Sequence, residues 1–296
     1  MQKLWLICLL PAFIASLYLF GLQALRIVTF TVAFSLIFDF ICSRIVPSKD
    51  ETINLSVATH AILLAFLLPY TSPWWLILTG SFIMVVLGRR LFGGEGGYPV
   101  HPVLLSFGIM LVSWPKFFDY AWALISRDLG IKMIEPFRMI KTAGTQAEAM
   151  FHYKDLLLGY QVAGIGNGLV IYLLAGGLLL LVLRQIKWHI PVSFLAGTYI
   201  SAGTLHLIDP ELYANPVFFI LSGSVVFAAF FLATDHTTSP VNGLPMLLYG
   251  FLGGVLLVII RTFSVYSDGA VFAILLINLC NPLLDRLTPA IGMKRK

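Results

Sequence analysis

Residues 91–102 read LFGGEGGYPVHP, and long apolar runs press on this stretch from both sides. Four glycines, a glutamate and a histidine admit three readings: a phosphate cradle, a metal site, or a bend the chain has to make. The solvent around the stretch decides among them. Hydrophobic residues fill 59% of the 296 positions and charged ones 11%, whereas a soluble domain is about half apolar and about a quarter charged. Apolar runs of about 18 or more residues recur along the chain, each long enough to cross ~30 Å of hydrocarbon. The pattern predicts ten spans, near 4–22, 24–43, 53–69, 73–90, 102–118, 167–184, 189–208, 216–233, 244–262 and 268–286. The first resembles a signal peptide, with Lys3 ahead of an apolar core. Pro11 interrupts that core, no clear small-x-small site follows and a second span starts almost at once, so it is read as a helix.

In lipid a backbone N–H or C=O cannot go unpaired, so a non-helical Gly-rich stretch must be buried in protein or border water. Gly93, Gly94, Gly96 and Gly97 permit close approach and positive φ, while Pro99 and Pro102 stop one helix and start the next. A Walker-type loop needs a Gly-Lys-Ser/Thr ending, which is absent. Glu95 and His101 by themselves make a poor metal site, and no metal set is read from the sequence. Two readings stay open: a helix-breaking cytoplasmic turn, or such a turn that also walls a cofactor or quinone pocket.

The formal charge of +5 is explained by placement and implies no nucleic-acid partner. With the N-terminus inside, Lys3, Arg44, Lys49, Arg89, Arg90, Arg184, Lys187, Arg286, Lys294, Arg295 and Lys296 all fall on the cytoplasmic side, and the short outer loops hold only Arg26 and Arg261. The bias in short loops sets orientation, so both termini are expected in the cytoplasm of a bacterial or archaeal cell, with the chain in its inner membrane. Cys8, Cys42 and Cys280 lie in separate spans without a CxxC, so zinc, iron–sulfur and disulfide readings lack support.

AFLLPYTSP (65–73) and AFFLATDHTTSP (229–240) each close an apolar span on a Thr-Ser-Pro turn. Each is followed by a span ending in Arg, at Arg90 or Arg261, and then by an acid–glycine pair, Glu95-Gly96 or Asp268-Gly269. The expected fold is therefore all-α and polytopic, with two five-helix repeats. The odd number inverts the second copy, and sites form where its helices break. The division is 1–118, an extracytoplasmic loop 119–166, and 167–296.

LLPAFIASLYLFG, SVATHAILLAFLLPYTSPWW and GRRLFGGEGGYPVHP resemble the first half of the RnfD/NqrB family, and FFLATDHTTSP with IIRTFSVYSDGAVFAILLINLCNPLLDR its second half. Without an extended N-terminus the chain is nearer to the Rnf branch, its D subunit, than to the quinone reductase. The resemblance implies a subunit of a complex that passes electrons between ferredoxin or quinone and NAD(H) and moves Na⁺ or H⁺. Its partners would be the other membrane and peripheral subunits and a flavin transferase. It also implies FMN as a phosphoester on a threonine of the outer loop, in a Ser/Thr-Gly-Ala-Thr motif, and in some members riboflavin between helices. Here the loop reads MIKTAGTQAEA, which places the acceptor at Thr145 with Thr142 as the fallback. Gly and Ala are exchanged in that motif, and the acid usually just upstream is missing. The family's Gly-rich turn ends Asn-Pro-x-Asn-Pro-Ala, whereas this chain has Tyr98-Pro99-Val100-His101-Pro102-Val103. Flavin or quinone contacts to that turn, Gly93 and Gly94 among them, carry over less directly.

Ionisable groups at membrane depth are functional candidates by default. Asp39 is either an interfacial partner of Arg44 or an acid on an ion route. Asp235, Thr237 and Thr238, beside His236, either hold a flavin's edge or phosphate or cap the next helix. Asp268, at the start of the last span, reads chiefly as a helix cap, with an ion route as the alternative. Asp285 and Arg286 are expected to pair. His60 and His206 read as hydrogen-bonded interhelical residues rather than ligands. The glycines of GIGNG (164–168) and AGG (175–177) suit close helix packing. No residue is assigned to catalysis, because a bound flavin would carry the redox chemistry. Two other functions fit the same sequence: a small-solute transporter or channel built on inverted repeats, and a non-redox scaffold subunit. Flavin bound after purification separates the first reading from both.

Overall fold

The computed structural model describes residues 2–45, 55–118 and 135–286. The remainder, which includes residues 119–134 of the expected 119–166 loop and the charges Lys49, Lys294, Arg295 and Lys296, lies outside the described residues. The chain is an all-α polytopic membrane protein. Its helices are α1 (Gln2–Phe20), α2 (Leu22–Ile45), α3 (Leu55–Leu67), α4 (Trp74–Phe82), α5 (Pro102–Ser113), α6 (Pro136–Ala143) and α7 (Tyr153–Leu158). There follow α8 (Val170–Val182), α9 (His189–Ile208), α10 (Pro216–Leu221), α11 (Val225–Phe227), α12 (Gly243–Phe263) and α13 (Ala270–Arg286). Helix α2 packs on α3 and α4, α9 on α10 and α12, α1 on α8, and α5 on α13.

Three expected spans are shorter than the hydropathy pattern predicts. Helices α3, α5 and α8 have 13, 12 and 13 residues, or roughly 20 Å at about 1.5 Å per residue. The bilayer core needs ~30 Å, and irregular backbone completes the crossing. Where α3 unwinds, its last carbonyls accept from another unwound segment. Ile165 N donates to Leu68 O at 2.9 Å, and Gly166 N and Asn167 N donate to Phe66 O at 3.1 and 3.2 Å. Apolar composition shows only that a segment is dry, and helix and interlocked coil both satisfy that condition.

The eighth span is broken between α10 and α11, where Gly223 takes a left-handed φ of 66° that favours glycine. Two side chains replace the lost helical hydrogen bonds. Gln161 donates to Leu221 O at 2.9 Å and accepts from Gly223 N at 2.8 Å. Arg261 donates to Phe219 O at 3.0 Å and Ser222 O at 2.9 Å. Arg261 is therefore not in an outer loop, as the charge count placed it. It sits in the last turn of α12, 1% exposed.

The α9–α12 seam is built from glycines, which let two backbones touch. A Cβ on Gly254 would meet Thr198 N at 2.7 Å, with Phe194 O closer still. Gly176 of AGG faces Cys8 O and Gly164 of GIGNG faces Phe66 O just as tightly, which is the close packing the sequence suggested. Gly254→Ala is expected to cost about 1–3 kcal/mol by overpacking, seen as a lower thermal midpoint in detergent. Gly203→Ala is the control. Its Cβ would meet only Pro216 Cγ at 3.5 Å, and that variant should melt at or above the wild-type midpoint.

Candidate functional site

Two one-turn π-helices aim the polar turns into the bundle. Ile83–Leu87 follows α4 and closes with Gly88 N donating to Ile83 O at 2.8 Å, and Ala228–Leu232 follows α11 and closes with Ala233 N donating to Ala228 O at 2.8 Å. Such turns, with their widened hydrogen-bond ring, recur at functional sites. The first delivers the Gly-rich turn and the second delivers Asp235. Between them lies a cavity of 280 Å³ lined by His60, Glu95, Tyr98, His101, Asp235 and Thr237, with Trp5 and Phe231 as apolar walls.

Within it, the His60 and His101 rings are 5.4 Å apart between centroids, and His60 Nε2 is 3.9 Å from Asp235 Oδ1. Thr238 Oγ1 donates to Asp235 Oδ2 at 3.2 Å. Glu95 accepts from Gln2 at 2.7 Å and lies 3.5 Å from Arg89. Arg89 is itself buried and donates to Ser56 Oγ at 3.3 Å. Burial, and then the Asp235 charge, push the Tyr98 phenol above its ordinary value, and the Thr237 hydroxyl is its hydrogen-bond partner. The Tyr98 phenol therefore stays neutral at physiological pH.

Some expected residues meet here and others do not. Asp235 and Thr237 face the cavity, and Thr238 braces Asp235 from behind. Gly93 and Gly94 do not line it. They hold φ near 93° and 96° with open space beside them, so the turn itself calls for glycine there. Asp39 pairs with Arg90, through Nη2 at 2.6 Å and Nε at 2.8 Å, and not with Arg44, which lies over Phe40. The π-helix turns Arg90 back toward α2, which spacing along α2 alone could not show. Among the described residues no ion pair joins Asp285 to Arg286. His206 Nδ1–H donates to Tyr213 O at 2.7 Å, a structural bond as expected, though to the turn that follows its own helix and not between helices.

A second cavity, of 340 Å³, takes Glu135, Arg138, Lys141, Arg261 and Asp268 into its wall. Asp268 accepts from Ala270 N at 3.2 Å, the expected cap of α13. Burial raises the Glu135 carboxyl above its ordinary value, and Asp268 adds to this, while a hydrogen bond from Ser267 and the Arg261 and Arg138 charges oppose it. An acid with a raised folded-state pKa binds more protons folded than unfolded. Stability is then greatest at low pH and falls as pH climbs from the ordinary glutamate value of 4.5 toward the raised one. Glu135→Gln should remove that slope, so thermal midpoints measured across this window fall in the wild type and stay flat in the variant.

Thr142 and Thr145 lie in neither cavity. Thr145 Oγ1 donates to Glu211 O at 2.7 Å, and Thr142 Oγ1 to Arg138 O and Met139 O at 3.1 and 3.2 Å within α6. Thr142 is exposed and Thr145 half-buried.

The profile of the NQR2, RnfD, RnfE family matches residues 1–293. The chain belongs to that family. Among its curated relatives, the D subunit of the ion-translocating oxidoreductase complex of Alcanivorax borkumensis is 35% identical over 79% of this chain and 74% of its own length. The protein of the same name in Vibrio cholerae O395 is 33% identical over 96% and 91%, and that in Mannheimia succiniciproducens 32% identical over 96% and 91%. This NQR2/RnfD/RnfE-family chain also holds features that lie far apart in its sequence. His60 and His101 each read singly as unremarkable there, and only the fold brings them to Asp235.

Proposed function

We propose that the chain is a flavin-carrying membrane subunit of an ion-translocating oxidoreductase complex of the Rnf type, in a bacterial or archaeal inner membrane. It relays electrons between ferredoxin- and NAD(H)-linked partner subunits, and complex turnover is coupled to Na⁺ or H⁺ movement. The observation that carries this is family membership across residues 1–293 together with relatives named as the D subunits of such complexes.

The outer loop fits an FMN phosphoester on chemical grounds. Thr145 offers a half-buried hydroxyl beside Gly144, where a Cβ would meet nothing nearer than Glu211 O at 3.9 Å. A separate flavin transferase makes the ester, so the threonine needs access and small neighbours rather than an activating base. The flavin, once attached, supplies one- and two-electron chemistry. The chain's own part is positional. Thr145 N donates to Glu211 O at 3.4 Å, a bond that esterification of Oγ1 leaves in place, and Arg138 and Lys141 put positive charge into the wall of the second cavity. Lys141 Nζ donates to Ser264 O at 2.7 Å, which fixes a cation beside the loop.

The test is purification of the tagged chain from its native membranes. Partner subunits and flavin should come with it. Partner subunits without any flavin would favour a scaffold role, and a solitary chain moving solute in vesicles would favour a transporter.

A further inference from the structure

Among the described residues one cluster is unexplained by the flavin reading. We infer that His60, His101 and Asp235 form a binding site for a divalent first-row transition-metal ion, with the adjoining 280 Å³ cavity giving access to a fourth, exchangeable position. This goes beyond the proposed electron-carrying role and does not depend on it.

Geometry comes first. The three residues come from three elements: α3, the turn before α5, and the turn after the second π-helix. One ligand atom from each lies within 4.8 Å of the others. Around a tetrahedral metal at about 2.0–2.1 Å, ligand atoms stand about 3.3 Å apart, so each side chain has to move inward by about 1 Å. That is within the reach of side-chain torsions and needs no change in the helices.

Hydrogen bonding comes second. Neither ring nitrogen of His101 has a partner, nor does His60 Nδ1, and His101 is 0% exposed. Buried imidazole nitrogens normally have hydrogen-bond partners, and leaving them without one is costly. An internal triad does not account for them, because the 3.9 Å between His60 Nε2 and Asp235 Oδ1 is too long for a hydrogen bond. A metal would take the lone pair of one nitrogen in each ring and satisfy the carboxylate at once, leaving the second nitrogen of His101 to face the cavity.

The surroundings are those of a metal site. Thr238 holds Asp235 Oδ2 and leaves Oδ1 turned toward the histidines, the outer-shell bracing that ligating carboxylates have. The nearby Arg89 and Glu95 compensate each other, so the ligand set carries one negative charge for a dication. Two imidazoles and one carboxylate favour Zn²⁺, Fe²⁺, Co²⁺ or Ni²⁺ over Mg²⁺ or Ca²⁺, which take all-oxygen sets. Three protein ligands beside an accessible cavity match an exchangeable centre rather than a closed structural one. The metal would also tie the Gly-rich turn to the turn holding Asp235, fixing the two breaks relative to each other.

The test uses the full chain in detergent, washed with chelator, then given Zn²⁺ or Co²⁺ and passed through gel filtration. The wild type should retain one Zn²⁺ per chain, and Co²⁺ should give visible ligand-field absorption that Zn²⁺ abolishes. His101→Asn and Asp235→Asn should each weaken binding by at least about tenfold, while His152→Gln, at an exposed histidine, should bind as the wild type does. Should a cluster variant fail to fold, the wild-type titration still decides, because bound metal must raise its thermal midpoint as concentration rises. Binding absent from the wild type, or unchanged in folded cluster variants, overturns the inference. Flavin content measured on the same preparations reports separately on the electron-carrying role.

Discussion

Arg261→Ala should lose about 3–5 kcal/mol of stability, as when one partner of a buried charged network is removed, and fail to accumulate at wild-type levels. The guanidinium donates to Ser267 O at 2.9 Å as well as to Phe219 O, Ser222 O and Ser222 Oγ. It also lies 4.7 Å over the Phe137 ring. Without it, Ser222 O and Ser267 O lose the donor that meets them and Phe219 O keeps only a long bond from Ser222 Oγ at 3.4 Å, and each unsatisfied buried acceptor costs about 1–3 kcal/mol. Arg261→Lys keeps the charge but not the planar fork of donors, so it should recover only part of the loss. Thermal unfolding of the detergent-solubilised chain is the measurement. A midpoint for Arg261→Ala equal to wild type would show that the helix break closes by other means.

Thr145→Ala should remove covalent flavin completely and reduce electron transfer through the assembled complex to background. Thr145→Ser should retain both, since it keeps the hydroxyl. In the chain without flavin the Oγ1–Glu211 O bond also anchors the loop, so the alanine variant should lose about 1 kcal/mol of stability relative to unflavinylated wild type. Assembly should survive that loss, which separates a missing acceptor from a misfolded loop. Thr142→Ala should leave flavin in place, because its hydroxyl only bonds back along α6. Flavin lost from Thr142→Ala and kept in Thr145→Ala would reverse the assignment.

The membrane class and the need for breaks are legible in the sequence, because hydropathy and Gly/Pro placement report directly on lipid exposure and backbone freedom. The lengths of α3, α5 and α8 are not, since an apolar coil whose hydrogen bonds are met by another coil has the same composition as a helix. Asp235 and Thr237 read as either flavin contacts or helix caps, and the fold sets both in the wall of a cavity. Glycine at 93 and 94 reads both as freedom for positive φ and as close approach to a ligand; the structure shows the positive φ, and one-dimensional pattern cannot separate the two uses. Spacing pairs Asp39 with the wrong arginine because its partner is 51 positions away. The approach of His60, His101 and Asp235 depends on two π-helical turns, and no local signal in the sequence announces an i→i+5 bond.

The most direct measurement is in-gel flavin fluorescence of the denatured wild-type chain, co-expressed with its native neighbours and a flavin transferase. The account predicts a fluorescent band at the mass of this chain. A dark band, with the transferase active on a control substrate, would contradict the covalent flavin carrier and with it the role proposed for Thr145.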